Sequence, residues 1–229
     1  MPSTLVVTLG AVLGTCATFV GAHVPEPAVS LPQVPTARTQ NGTYYGARNS
    51  RYYIDQFLGI PFAQPPTGDL RLQHPQSLNT SWDGERNATE YGYACVGYGE
   101  DSTVTSRNYT NEDCLTLNVV RPAGYDETAS LPVAVWIYGG GFFAGSTIDQ
   151  RYNLTFMVDE SRRMGKPIIG VSLNYRLAAY GWLYSEEIVK AGLANLGLRD
   201  LRMGLHWVQE NIGGFGGDPS KVTIFGESA

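Results

Sequence analysis

Three uncharged apolar runs set the frame of this chain: LPVAVWIY at residues 131–138, PIIGVSLNY at 167–175 and VTIF at 222–225. A strand with one wet face alternates apolar and polar side chains, whereas an unbroken run belongs to a strand covered on both faces, as in parallel sheets. Between the second and third runs, Leu198, Leu201, Leu205, Val208 and Ile212 recur at steps of 3, 4, 3 and 4. That is one stripe of an amphipathic helix, which Gly213 and Gly214 are expected to end. A weaker helix is expected over 153–164. Strand, helix, strand, helix, strand predicts an α/β fold with a mostly parallel central sheet, helices on both faces and right-handed crossovers. The earlier segment TYYGARNSRYYIDQFLGIPFA (43–63) alternates turn residues with β-branched and aromatic ones, and 115–120 is a further short strand. These are expected to be antiparallel and to lie at one edge.

Composition narrows the partners. A net charge of −5 with no run of Lys or Arg argues against nucleic acid. Residues 1–22 are apolar from Leu5 to Val20, carry no charged side chain and end in the small residues Gly21 and Ala22. This is the pattern of a secretory signal cut after Ala22, and the run is shorter than the ~20 residues that span a bilayer, so no lasting membrane insertion is expected. The mature chain, 23–229, then forms one domain outside the cell. Five sequons, at Asn41, Asn79, Asn87, Asn108 and Asn153, fit that route as candidate N-glycosylation sites. Losing Cys16 with the signal leaves Cys95 and Cys114, an even pair in an oxidising compartment, and these are expected to form a disulfide.

Ligands of such sheets bind beyond the carboxyl ends of the strands. Two motifs fall there: GGGFF directly after the first run and GESA directly after the third. A serine on a tight strand-to-helix turn exposes its hydroxyl, and Ser228 stands in that position. Such a hydroxyl needs a base to take its proton and N–H donors to meet the oxyanion that forms. Gly139, Gly140 and Gly141 have no Cβ to keep a substrate oxygen away, and Ala229 offers one more donor. Glu227, adjacent to the serine in sequence, cannot reach the far nitrogen of a base and is read as structural. The base is not evident. His23 would be the mature N-terminus, His74 sits in a polar loop, and His206 is eight residues past Leu198, about 12 Å down the helix from the sheet edge.

FGGDPSKVTIFGESA resembles the serine signature of the type-B carboxylesterase and lipase family of α/β-hydrolases, and EDCLTLNV (112–119) resembles its second signature, with the cysteine of an N-terminal disulfide. FLGIPFAQPPTGDLRL, WIYGGGFFAGS and NLGLRDLRMGLHWVQENIGGFGGDP match as well, so the likeness runs from Asn41 to Ala229. The resemblance implies secreted hydrolysis of carboxylic esters by a Ser, Glu, His triad, without metal or cofactor. Ser228 would be the nucleophile and Gly140, Gly141 and Ala229 the oxyanion donors. It also implies a triad acid and histidine far beyond the serine, so the sheet is expected to be incomplete on its C-terminal side and the chain by itself inactive and poorly folding, with VTIF as an exposed edge. The segment VGYGEDSTVTSRNYTNED (96–113) is short and polar and lacks tryptophan, which in this family points to a soluble ester over an aggregated lipid or a choline ester. A non-catalytic binding protein on the same fold is the rival; it would have no need of the serine or the glycines.

Overall fold

The computed structural model describes residues 34–98 and 109–229; the expected signal, His23 and Asn108 lie outside them. In chain order the strands are β1 (Thr36–Arg38), β2 (Thr43–Tyr45), β3 (Ala47–Asn49), β4 (Ile54–Pro61), β5 (Glu85–Asn87), β6 (Thr116–Pro122), β7 (Leu131–Ile137), β8 (Ile169–Leu173) and β9 (Gly217–Gly226). The helices are α1 (Thr155–Arg163), α2 (Ala178–Trp182), α3 (Glu186–Lys190) and α4 (Leu196–Asn211). The main sheet has the order β3-β4-β6-β8-β7-β9. It is parallel through β8, β7 and β9 and antiparallel through β3, β4 and β6, so the early strands form one edge as the sequence pattern predicts. A second, three-stranded sheet, β1-β2-β5, corrects that expectation in part: β2, at the start of the 43–63 segment, pairs with β1 and β5 instead of joining the main-sheet edge, and β1 and β5, three residues long with charged side chains, leave no pattern.

Each face of the main sheet is covered by a different helix, and the alternation of side chains along the strands shows which. Val119, Val135 and Val171 belong to the core that includes Trp207 and Val208 of α4. Their neighbours Val120 and Trp136 belong to the smaller core around Leu154 and Val158 on the α1 side. Val135, Val171 and Val158 are fully buried, each worth about 1.5–3 kcal/mol of transfer free energy. β8 is therefore without alternation because two helices, on opposite faces, remove both of its rows from water, whereas β7 is fully buried only on the α4 side.

The helix α4 falls where its periodicity places it, with Leu201, Leu205, Val208 and Ile212 of the stripe on the core, but its buried face extends to small and polar residues and leaves Leu198 out. Leu198 is 51% exposed, whereas Gly197, Asp200, Gly204, Trp207 and Asn211 are buried. Two facts explain the offset. Gly204 lets the helix come close to the sheet, since a Cβ there would stand 3.1 Å from Leu173. Asp200 is drawn inward by Arg176, which follows β8. The Arg176 guanidinium donates to Asp200 from Nε at 2.8 Å and from NH2 at 2.7 Å, while its NH1 donates to the Gln73 carbonyl at 2.8 Å. Nor do Gly213 and Gly214 stop the helix directly: a 3-10 turn over Ile212–Phe215 carries the chain on, and Gly216, at φ 86°, reverses it.

At the far edge, β9 is longer than VTIF and pairs on one side only, with β7; Ile224 is 52% exposed. Cys95 and Cys114 form a disulfide with 5.0 Å between their Cα atoms, joining the segment before β6 to the one that carries Cys95. Among the described residues no helix is long and apolar enough to cross a membrane.

The Arg176–Asp200 pair yields a prediction. Removing one partner strands a buried charge and costs about 3–5 kcal/mol, whereas replacing both with apolar residues of similar volume restores much of the loss. Asp200→Asn should lower the urea midpoint sharply, and Arg176→Met with Asp200→Leu should recover most of it. Equal midpoints for the wild type and Asp200→Asn would contradict the anchoring role.

Candidate active site

The parallel pairing of β7 with β9 ends on Ile137 opposite Gly226, so the segments that follow both strands leave the sheet side by side. Two hydrogen bonds keep them together. The Glu227 N–H donates to the Ile137 carbonyl at 3.4 Å, and the Phe142 N–H donates to the Ala229 carbonyl at 3.2 Å. Gly139 is where the two segments come closest: a Cβ there would overlap the Glu227 carbonyl and stand 2.9 Å from Ser228 Cβ. Ser228 has φ 53°, a left-handed conformation that a serine adopts at a cost of about 1–3 kcal/mol and keeps only where its surroundings impose it. Its side chain is exposed at the sheet edge.

The glycine loop turns back at once. The N–H groups of Phe143 and Ala144 donate to the Gly140 carbonyl at 3.2 and 3.1 Å, with Gly140 at φ 130° and Gly141 at φ 63°. Among the described residues no acceptor takes the N–H of Gly140, Gly141 or Ala229. Three free N–H donors thus lie in segments that touch one another and Ser228, where water or a ligand oxygen can accept from them.

Polar contacts absent from the sequence motifs fix this edge. Tyr138 and Tyr175, at the ends of β7 and β8, stack with centroids 4.6 Å apart. Each hydroxyl donates to the other's carbonyl, Tyr138 to Tyr175 at 3.2 Å and Tyr175 to Tyr138 at 2.9 Å. Burial pushes the Tyr175 phenol up to about 12 and Tyr138 well above its ordinary range, so both remain donors. Asn174, fully buried, accepts from the Thr147 N–H and hydroxyl, each at 3.1 Å, and donates to the Tyr93 carbonyl at 2.9 Å and the Cys114 carbonyl at 3.2 Å. It ties the loop after β7 to the disulfide segment. Phe142 stacks on Trp182 at 4.0 Å.

Glu227 has the partner that its structural reading lacked: the Tyr152 hydroxyl donates to its carboxylate at 3.2 Å. Partial burial, then that carboxylate, hold the Tyr152 phenol above its usual range. Tyr152 precedes α1, 75 residues before Glu227, and no local pattern marks the pair. Among the described residues, neither His74 nor His206 bonds to Ser228. His74 Nε2 lies 2.9 Å from the Gly192 carbonyl, and His206 is on the exposed side of α4. Asn41, Asn79, Asn87 and Asn153 are all among the described residues, with Asn79 and Asn87 exposed.

With this geometry in view, the likenesses of the chain acquire their meaning. The carboxylesterase family model matches residues 33–229. Lipase 4 of Diutina rugosa is 45% identical over 219 residues, which cover 88% of this chain and 39% of that protein. Secreted triacylglycerol lipase LIP1 of Gibberella zeae is 41% identical over 210 residues, covering 85% and 35%. The crystal structure of Aspergillus niger EstA superposes with a TM-score of 0.74 at 37% identity, over 84% of this chain and 35% of that one. The chain belongs to the carboxylesterase family and has the α/β-hydrolase fold. It spans about two fifths of the length of the curated relatives it matches.

The close approach at Gly139 can be tested directly. Gly139→Ala must push the Glu227–Ser228 backbone away, and overpacking of this kind costs about 1–3 kcal/mol. A lower thermal midpoint is expected, whereas Gly165→Ala, where a Cβ meets nothing within 4 Å, should fall less despite its φ of 68°. The reverse order would contradict the packing described.

Proposed function

We propose that this chain is the N-terminal part of a secreted carboxylic ester hydrolase that works through an acyl-serine intermediate. The observation that carries the reading is Ser228, held at φ 53° against a glycine loop whose N–H groups have no acceptor among the described residues. In this reading the Ser228 hydroxyl attacks the ester carbonyl carbon. The N–H groups of Gly140, Gly141 and Ala229 receive the oxyanion, each worth about 3 kcal/mol in the transition state. The alcohol then leaves, and water hydrolyses the acyl-serine. Strain at a functional turn is consistent with this, since a protein that merely binds gains nothing from it.

The general base and the acid of the triad are assigned to polypeptide other than the described residues, for among these neither His74 nor His206 bonds to the serine. The chain alone is accordingly expected to be inactive, and its one-sided β9 with the half-exposed Ile224 to be prone to association. Residues 1–22 are assigned as a cleaved signal, in keeping with the secreted relative. No cofactor or metal is required by this chemistry. The expectation of a soluble ester rests on a segment of which 99–108 lie outside the described residues, while the relatives named above are lipases. Both substrate classes therefore enter the test.

The complete gene product, secreted from a fungal host, should begin at His23 and hydrolyse a p-nitrophenyl ester. Ser228→Ala should lower kcat by about 10⁴-fold or more. Turnover of a short-chain ester without activation by emulsified triglyceride is the expected preference, and strong activation would reverse that part. Full activity in Ser228→Ala would overturn the mechanism, and a secreted, folded protein without esterase activity would favour the binding-protein rival.

A further inference from the structure

Among the sequons, Asn41 stands in an unusual place. It lies in the turn between β1 and β2, half-buried, with Nδ2 donating to the Thr80 carbonyl at 2.9 Å and its own carbonyl accepting from the Trp82 N–H at 2.9 Å. Trp82 covers Gly42, the middle residue of the sequon, so closely that a Cβ there would overlap the indole. The Trp82 Nε1–H donates to the carbonyl of Thr43, the sequon's third residue, at 3.2 Å. The whole sequon is thus held in one orientation by the segment 80–82.

Asn41 also borders a cavity of about 160 Å³, whose wall includes Gln40, Ser77, Met203, Trp207 and Glu210. Through Gln40, Glu210 and Asn211 this space adjoins a second of about 530 Å³, bordered also by Arg38 and Glu127. Together they reach the size of ligand pockets, roughly 300–1,000 Å³. Asn211 is a fixed part of the wall: its Oδ1 accepts from the Gln40 N–H at 2.8 Å and its Nδ2 donates to the Trp207 carbonyl at 3.0 Å. Among the described residues, the Gln40 carboxamide and the Glu210 and Glu127 carboxylates have no hydrogen-bond partner.

A pyranose has an apolar C–H face and a rim of hydroxyls, and an N-acetyl group adds an amide. Met203 and Leu78 line this space beside the unpaired polar groups of Gln40 and Glu210, and that combination suits both. We propose that Asn41 carries an N-linked glycan whose N-acetylglucosamine core lies in this double cavity, packed against the protein instead of standing in solvent. The inference rests on the secretion reading above. In the transfer, Asn41 Nδ2 bonds to C1 of the sugar of a lipid-linked oligosaccharyl diphosphate. The C1–O bond breaks, the lipid diphosphate leaves with its electron pair, and one amide proton is lost. The remaining Nδ2–H still donates to Thr80. Glu210 and Asn211 are at the end of α4 that leads into β9, whereas Ser228 follows the other end of β9, so such a glycan leaves the esterase edge clear.

The test is glycopeptide mass spectrometry on the complete gene product secreted by a yeast host, after peptide-N-glycosidase treatment of native and of denatured protein. The expected result is an occupied Asn41 whose glycan resists the native digestion and is lost after denaturation, while any glycan at the exposed Asn79 or Asn87 is lost from the native protein. A bare Asn41 in secreted protein, or release from native Asn41 together with the exposed sites, would overturn the inference alone. Protein retained in the cell with its leader and without glycans would overturn both this inference and the secretion reading.

Discussion

The central constraint in this structure is the position of β7, paired in parallel on both sides, with Leu131, Val133 and Val135 buried on one face. Val133 and Val135 fix its depth, and the register that sets Ile137 against Gly226 fixes where the flanking segments leave the sheet. Everything at the carboxyl edge inherits that register. The glycine loop can approach Ser228 because Gly139 lacks a side chain, and Ser228 can hold a left-handed backbone because Gly139, the Ile137 carbonyl and Phe142 surround it. A shift of one residue between β7 and β9 would reverse the faces of every β9 side chain and separate the two loops.

The carboxyl edge of the sheet is secured by buried polar groups together with the Tyr138–Tyr175 and Phe142–Trp182 stacks. Tyr138 and Tyr175 close β7 on β8, Asn174 binds three separate segments, and Arg176 with Asp200 binds the chain after β8 to α4. Each is nearly or fully satisfied, which is the condition under which buried polarity specifies one arrangement without a large penalty. The body of the sheet, by contrast, is held by aliphatic side chains that tolerate exchange. Stability and placement are therefore supplied by different residues.

Much of this was legible in the sequence, for identifiable reasons. The three long strands declare themselves by unbroken apolar runs, although β9 is largely exposed, and α4 declares itself by spacing, because burial of one helix face leaves a period in the sequence; α1 gives only a weaker signal. The GGG and GESA motifs could be set at one edge because parallel strands share their carboxyl ends. What was hidden depends on pairings distant in sequence. The stripe located most of the buried face of α4, but not the exposure of Leu198 or the burial of Asp200 and Gly204, which follow from Arg176 and the close approach to Leu173. The sheet β1-β2-β5 is too short to leave a period. Tyr152 gives no sign that it meets Glu227, and Asn174 looks like the polar end of a strand until its four bonds are seen.

The central claim is that this edge holds Ser228 as an activated nucleophile beside waiting N–H donors. Treating the complete gene product with a fluorophosphonate probe and locating the adduct by mass spectrometry tests it most directly. The account predicts a single, stoichiometric adduct on Ser228, lost after denaturation before labelling and absent from Ser228→Ala. A folded, secreted protein that stays unlabelled, or that is labelled at another serine, would contradict it.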